Sequence, residues 1–267
     1  MEITHAVVLA LIQGITEFLP VSSTAHLVFV PRVTGWQDQG LSFDVALNTA
    51  TWLAVVIYFR ADMARLVKGL ARVFRESSFR DNNDGRLALM ALLGTVPVGV
   101  AGVLARDMVA GELRTLSVIG FSSIIWGVVL WIADRNPGKT ELREMGWASA
   151  ALVGLSQAIS LIPGTSRSGI TMTAGLFTGL TRTSSATFSF FLAIIVGALA
   201  GGKEGLEMVR HGWDTPWLAV AVGFAVAFVS AYLAIHYFLK WIMRSSMAPF
   251  VAYRILLGII LLKYAYL

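Results

Sequence analysis

The 267-residue chain contains no cysteine and few charges: 14% of its residues are Asp, Glu, Lys or Arg, against about 25% in an ordinary globular protein. Without cysteine there is no disulfide, no thiolate metal site and no thiol nucleophile. Without charge there is no polar coat for a water-exposed surface, and with 56% hydrophobic residues and a mean hydropathy of +0.71 most of the surface must face lipid. The net charge of +5 does not point to nucleic acid, because the Lys and Arg residues gather between apolar segments, where the positive-inside rule accounts for them. The first segment, MEITHAVVLALIQGITEF, has Glu2 in place of a basic region and no small-residue cleavage site, so it reads as part of the mature fold.

Apolar runs long enough to cross about 30 Å of hydrocarbon lie near 43–59, 87–105, 115–133, 183–202, 216–239 and 248–267. Two more, 1–33 and 146–180, are interrupted by PVSSTAH and PGTSRSG. Proline ends a helix, and broken backbone exposed to lipid is forbidden, so both breaks must be buried in protein or line a wet cavity. Re-entrant helix pairs meet that demand. With an offset of 143 positions, Leu19-Pro20-Val21-Ser22-Ser23-Thr24 falls on Ile162-Pro163-Gly164-Thr165-Ser166-Arg167. Each break is followed by three crossings, and a second copy that starts after an odd number of crossings is inserted upside down. The expectation is an all-α polytopic membrane protein: one domain, two inverted repeats (about 1–134 and 145–267), six transmembrane helices and two re-entrant pairs.

Loop charges predict orientation. Segment 60–86 carries Arg60, Arg65, Lys68, Arg72, Arg75, Arg80 and Arg86, and 134–146 adds Arg135, Lys139 and Arg143; both should be cytoplasmic. Loops 105–114 and 202–215 hold only Arg106, Arg114, Lys203 and Arg210, which puts both termini outside. Leu66, Val67, Leu70, Val73 and Phe74 recur at helical spacing opposite the basic residues, predicting an anchoring helix on the inner membrane surface.

Gln13 and Glu17 share a helix face just before Pro20. A carboxylate at that depth costs roughly 2.5–3.5 kcal/mol by insertion scales, so Glu17 needs a metal ion, a cation or a proton. After the break, Ser22 or Ser23 should cap the return helix, leaving backbone donors and a partial positive charge aimed at the break, a ready phosphate site. His26 lies about one turn beyond, within reach of proton exchange with Ser23 or a bound phosphate; His5, His211 and His236 lack such company. The second break offers Thr165, Ser166, Arg167 and Ser168 at another helix start, and the Arg167 fork matches two phosphate oxygens. Two helix termini meeting from opposite sides would form a cationic cradle facing an acidic, His-bearing wall, a diphosphate site equipped for hydrolysis. Asp44, Asn48 and Arg254 are weaker candidates for the same hollow, and Gly175…Gly179 and Gly197…Gly201 have the spacing of close helix packing.

QGITEFLPVSSTAH, FDVALNTAT, PGTSRSG, TFSFFLA and PFVAYR together resemble the undecaprenyl-diphosphate phosphatases of the bacitracin-resistance type, over nearly the whole chain. The resemblance implies an interdigitated inverted-repeat fold, often a homodimer. It also implies hydrolysis of a polyprenyl diphosphate at the outer face of the bacterial inner membrane, recycling the carrier lipid for the cell wall. By motif it assigns Gln13 and Glu17 to the acidic pair, Ser23 and His26 to catalysis, and Arg167 with Ser166 and Thr24 to the diphosphate. Thr187 stands where many members carry Glu, and Asn48 replaces a common Gln. Gln13 and Glu17 would hold a divalent cation, Mg²⁺ or Ca²⁺, since hard cations prefer oxygen ligands. Inverted repeats with broken helices are also the architecture of secondary carriers, so a lipid-phosphate transporter or flippase is the alternative.

Overall fold

The computed structural model describes residues 2–37, 40–76, 82–105, 108, 111–211 and 216–267, with backbone alone for 41 and 203–211. Arg80, Arg106 and the side chains of Lys203, Arg210 and His211, named above from the sequence, lie outside the described residues. Within them the chain forms eleven α-helices: α1 (Ile3–Thr16), α2 (Ser23–Thr34), α3 (Leu41–Tyr58), α4 (Arg60–Glu76), α5 (Asn83–Leu104), α6 (Leu116–Asp134), α7 (Trp147–Ile159), α8 (Arg167–Phe177), α9 (Arg182–His211), α10 (Trp217–Ile242) and α11 (Ala248–Tyr266).

Among the described residues five helices are long and apolar enough to cross a membrane: α5, α6, α9 as far as Gly202, α10 and α11. The expected span 43–59 passes that test only jointly with α4, from which it is bent by 75°. The reason lies in its composition. Helix α3 carries Asp44, Asn48, Thr49 and Thr51, and the last three of these line an internal cavity, so the helix trades hydropathy for a polar inner face. The 75° bend fits an α4 that lies across the end of the bundle; Leu66, Gly69 and Val73 are buried while Val67 and Phe74 stay exposed. Asn82 pins that packing, its amide donating to the Gly69 carbonyl (2.9 Å) and its oxygen capping Gly85 of α5. Helix α9 runs nine residues past the expected span end, so the backbone of 203–211 is helical where a loop was expected.

Both broken segments are helix–turn–helix units, α1–α2 and α7–α8, and the two halves interlock. Helix α1 packs on α10 of the second half, and α7 packs on α5 of the first; α3 likewise meets α10, and α9 meets α5. Exchanging the halves maps each pair onto its counterpart, while α6 with α11 and α3 with α9 are contacts between equivalents. The structural register is 144 positions, one more than the sequence alignment: Gln13 and Gln157 are both buried, and Ser22 and Ser166 are the N-caps of α2 and α8. Both serines hold positive φ, 72° and 69°, unusual for a residue with a Cβ.

Small residues let these helices close. A Cβ on Gly154 of α7 would stand 2.5 Å from Gly94 Cα and 2.7 Å from its carbonyl oxygen in α5, backbone that cannot yield. Gly154→Val should therefore cost about 1–3 kcal/mol through overpacking, read as a lower Tm of the detergent-solubilised protein. The end of the bundle where α6 stops is tied by a half-buried ion pair, Arg182 with Asp134, whose carboxylate also accepts the Met247 amide at 2.8 Å. One carboxylate thus joins the ends of α6, α9 and α11.

Candidate active site

In a membrane every carbonyl freed by a helix break needs a donor. Here the donors are side chains from distant helices. Ser168 Oγ donates to the Leu19 carbonyl (2.9 Å), and Arg254 Nη1 to that of Pro20 (3.3 Å). Arg254 Nη2 reaches the carbonyls of Gly164 (3.0 Å) and Thr165 (2.7 Å), and its Nε reaches that of Ser123 in α6 (3.3 Å). Arg254 has no solvent exposure and, among the described residues, no acidic partner. Its sequence position makes it only a weak candidate for the hollow; in the structure it serves both breaks at once. Gly169 makes room for it, since a Cβ there would lie 2.6 Å from Nη1. Gly164, at φ +90°, lies so close to α6 that a Cβ would meet Ile119 O at 2.4 Å.

With both turns pinned, the starts of α2 and α8 border one cavity of about 570 Å³. Its polar end is lined by Glu17, Ser22, Ser23, Thr24, Ser166, Arg167 and Asn48. Ser22 makes no side-chain cap bond, so the first amides of α2 are not consumed by their own cap. At α8, Ser166 Oγ accepts from Gly169 N at 3.2 Å.

Glu17 is the hub. Its Oε1 accepts from Arg167 Nη2 at 3.2 Å, and its Oε2 accepts from Ser23 Oγ at 2.7 Å and from Gln13 Nε2 at 3.1 Å. Residues 150 positions apart therefore share one ion pair, with both side chains partly open to the cavity. Among the described residues Glu17 is the one side-chain partner of Arg167, which leaves the rest of its fork for a ligand. Gln13 is itself held by Asn48, whose oxygen accepts from Gln13 Nε2 at 2.9 Å.

Gln13 stands behind Glu17, outside the cavity lining, and three further expected residues stand elsewhere. Thr165 is fully buried with its hydroxyl 2.9 Å from Ser122 Oγ of α6. Ser168 spends its hydroxyl on Leu19 and lies 3.1 Å from Ser166 Oγ. His26 is outside the cavity lining, with Nδ1 2.7 Å from the Ser22 carbonyl and Nε2 2.6 Å from the Tyr253 hydroxyl. Neither nitrogen meets Ser23, so the expected proton exchange between them has no contact in this structure. Each of these side chains is drawn toward a carbonyl or hydroxyl of another element, which spacing along one helix does not reveal. Thr187 lines a smaller hollow with Asp62, Asp84 and Glu141, away from Glu17, so its departure from Glu takes no acid from this site. Asp44 is not among the residues lining the cavity.

The donor set bears on a divalent cation. Among the described residues no three His, Asp or Glu side chains cluster as a metal site. Glu17 nevertheless offers a carboxylate on the cavity wall, and behind it, outside the lining, Gln13 Oε1 is buried with no hydrogen-bond partner among the described residues. One carboxylate and one free amide oxygen fit an ion that takes its other ligands from diphosphate and water, as Mg²⁺ commonly does.

The cavity's other wall is apolar and made by α3 and α9: Trp52, Val55, Ala193, Val196, Gly197, Ala198, Ala200 and Gly201. Gly197 packs on Trp52, where a Cβ would come within 2.3 Å of the ring, while a Cβ on Gly201 would meet nothing within 4 Å. The Gly197…Gly201 spacing thus serves packing at one end and open space at the other. Trp52 is fixed across the gap by donating to the Ile194 carbonyl at 2.8 Å.

A family profile described as Bacitracin resistance protein BacA matches residues 6–260. The chain is 48% identical over 263 residues to a protein of Teredinibacter turnerae named Undecaprenyl-diphosphatase, covering 98% of each chain. Proteins of the same name from Saccharophagus degradans and Hahella chejuensis are 45% and 47% identical, with at least 96% of each chain aligned.

Proposed function

Given that the chain belongs to the bacitracin resistance protein BacA family, we propose that it hydrolyses undecaprenyl diphosphate to undecaprenyl phosphate and inorganic phosphate. The observation that carries the chemistry is the Ser23–Glu17–Arg167 chain, 2.7 Å and 3.2 Å between partners, on the wall of a cavity bordered by two helix starts. The diphosphate lies at the polar end, and the isoprenoid chain leaves along the apolar wall of α3 and α9. Arg167 and the amides of the two helix starts hold the terminal phosphate and the charge that builds on it. Ser23 Oγ attacks the terminal phosphorus as the bond to the bridging oxygen breaks, its electron pair leaving with undecaprenyl phosphate. The Ser23 proton passes to Glu17 Oε2, the nearest base. Glu17 hands that proton to the oxygen released on undecaprenyl phosphate; water then attacks the phosphoserine, its proton passes through Glu17 to Ser23 Oγ, and Ser23 is regenerated as phosphate departs. Glu17 and Gln13 Oε1 would hold a Mg²⁺ or Ca²⁺ ion, which when bound neutralises diphosphate charge.

We also place this multi-pass membrane protein in the bacterial inner membrane with the cavity open to the outer face. Arg60, Arg65, Lys68, Arg135, Arg143, Lys240 and Arg244 lie at one end of the bundle, which the positive-inside rule makes cytoplasmic. Along α9 the lining runs from Ala193 to Gly202, the half of that span away from Arg182 at that end, and along α3 it runs from Asn48 and Thr49 in the outer half to Val55 in the inner half. The recycled lipid would feed cell-wall synthesis.

Purified protein in detergent should release phosphate from undecaprenyl diphosphate, and a chelator should suppress that release. With the terminal phosphate radiolabelled, acid quenching should trap label on the peptide containing Ser23. Steady turnover with no trapped label would replace the serine by water as nucleophile, and no phosphate release at all would sink the assignment.

A further inference from the structure

We propose that His26 is a positioning residue set by Tyr253, and that it carries no proton to or from the substrate. The proposal deepens the phosphatase reading and rests on it. The Ser22 carbonyl can only accept, so His26 Nδ1, 2.7 Å away, bears the ring proton. In the neutral ring Nε2 is then an acceptor, and the Tyr253 hydroxyl at 2.6 Å must donate to it. Both nitrogens are engaged inside the protein, the ring is 8% exposed, and it is absent from the cavity lining. Ser22, the residue His26 grips, is one of two side-chain-bearing residues held at positive φ among the described residues. Such a conformation persists only where its surroundings over-determine it. The grip matters because Ser22 sets the direction of the first amides of α2 and of Ser23.

Tyr253 and Arg254 are adjacent on α11 and, about 100° apart around the helix, work on different strands of the same job. Tyr253 acts through His26 on Ser22, while Arg254 holds Pro20, Gly164 and Thr165 directly. One helix turn therefore fixes both breaks, and the tyrosine, 45% exposed, does so from the edge of the bundle.

The two roles of His26 separate by amide mimicry. Asparagine places its side-chain nitrogen near the position of Nδ1, glutamine near that of Nε2. For phosphate release from undecaprenyl diphosphate, His26→Asn should keep kcat within about tenfold of wild type with KM unchanged, whereas a lost proton carrier would cost about 10²–10⁴. His26→Ala and His26→Gln should both fall well below His26→Asn. Tyr253→Phe should lower kcat by about tenfold, at constant KM, as loss of an orienting partner does. In the His26→Asn background it should change nothing, since no tautomer is left to set. A His26→Asn protein as inactive as His26→Ala but with wild-type Tm, or activity restored by His26→Gln, would overturn the proposal. Should His26→Asn fail to fold, Tyr253→Phe decides alone, and an unchanged kcat refutes it. Wild-type protein that releases no phosphate would instead remove the phosphatase reading, and that is measured first.

Discussion

Arg167→Ala should lower kcat/KM for undecaprenyl diphosphate by about three to five orders of magnitude, the range by which an arginine serving a transferring phosphoryl group accelerates turnover. The size follows from two losses. The terminal phosphate gives up a guanidinium donor, and Glu17 gives up the cation on its Oε1 while Ser23 still presses a proton toward Oε2. Arg167→Lys should recover little, because an ammonium offers a point charge where a planar fork must bridge Glu17 and phosphate together. Stability is the control. The Arg167–Glu17 pair is partly open to the cavity, with side chains 19% and 24% exposed, so its loss should move Tm by only a few degrees. A variant with wild-type Tm and activity within tenfold would show that the guanidinium is not used on the substrate.

The parts of this site that sequence made legible are those fixed by local rules. Proline inside an apolar run forces a break, a serine-rich return forces a helix start, and an acid and an arginine at bilayer depth each demand a partner. Those rules placed Glu17 and Arg167 in one hollow before any coordinates. What they could not give was direction. Thr165, Ser168 and His26 belong to the motifs, but their polar atoms answer to Ser122, Leu19 and Tyr253, on elements set beside them only by the interlocking of the halves. The single-residue slip in register has the same origin. Pro20 and Pro163 attract alignment, yet the backbone equivalence runs through Ser22 and Ser166, where the chain turns with positive φ. The crossing by α3 and the surface helix after it were legible, and the 75° bend joins them; α3 alone falls short of a membrane span's hydropathy because the polar face it shows the cavity lowers the average without removing the crossing.

Arg254→Leu should remove much of the protein's stability, since the residue touches both breaks and has no substitute. It donates to four carbonyls, those of Pro20, Ser123, Gly164 and Thr165, in a place with no solvent exposure. An unsatisfied buried carbonyl costs about 1–3 kcal/mol. Even if relaxation rescues half of them, the loss is several kcal/mol, a large share of the 5–15 kcal/mol that is typical of a folded chain. The expected result is a sharply lower Tm in detergent, with phosphate release lost in proportion to the folded fraction. Arg254→Lys keeps the charge, but one ammonium cannot reach Ser123 in α6, the first break and the second together, so it should fall between. The design explains why a costly buried cation is retained here. A substrate diphosphate needs helix amides and Arg167 to converge from the two halves of the chain, and convergence requires the turns that carry them to be tied to one another. If Arg254→Leu kept a wild-type Tm and chiefly raised KM, the guanidinium would be a ligand for phosphate and not the tie between the two turns.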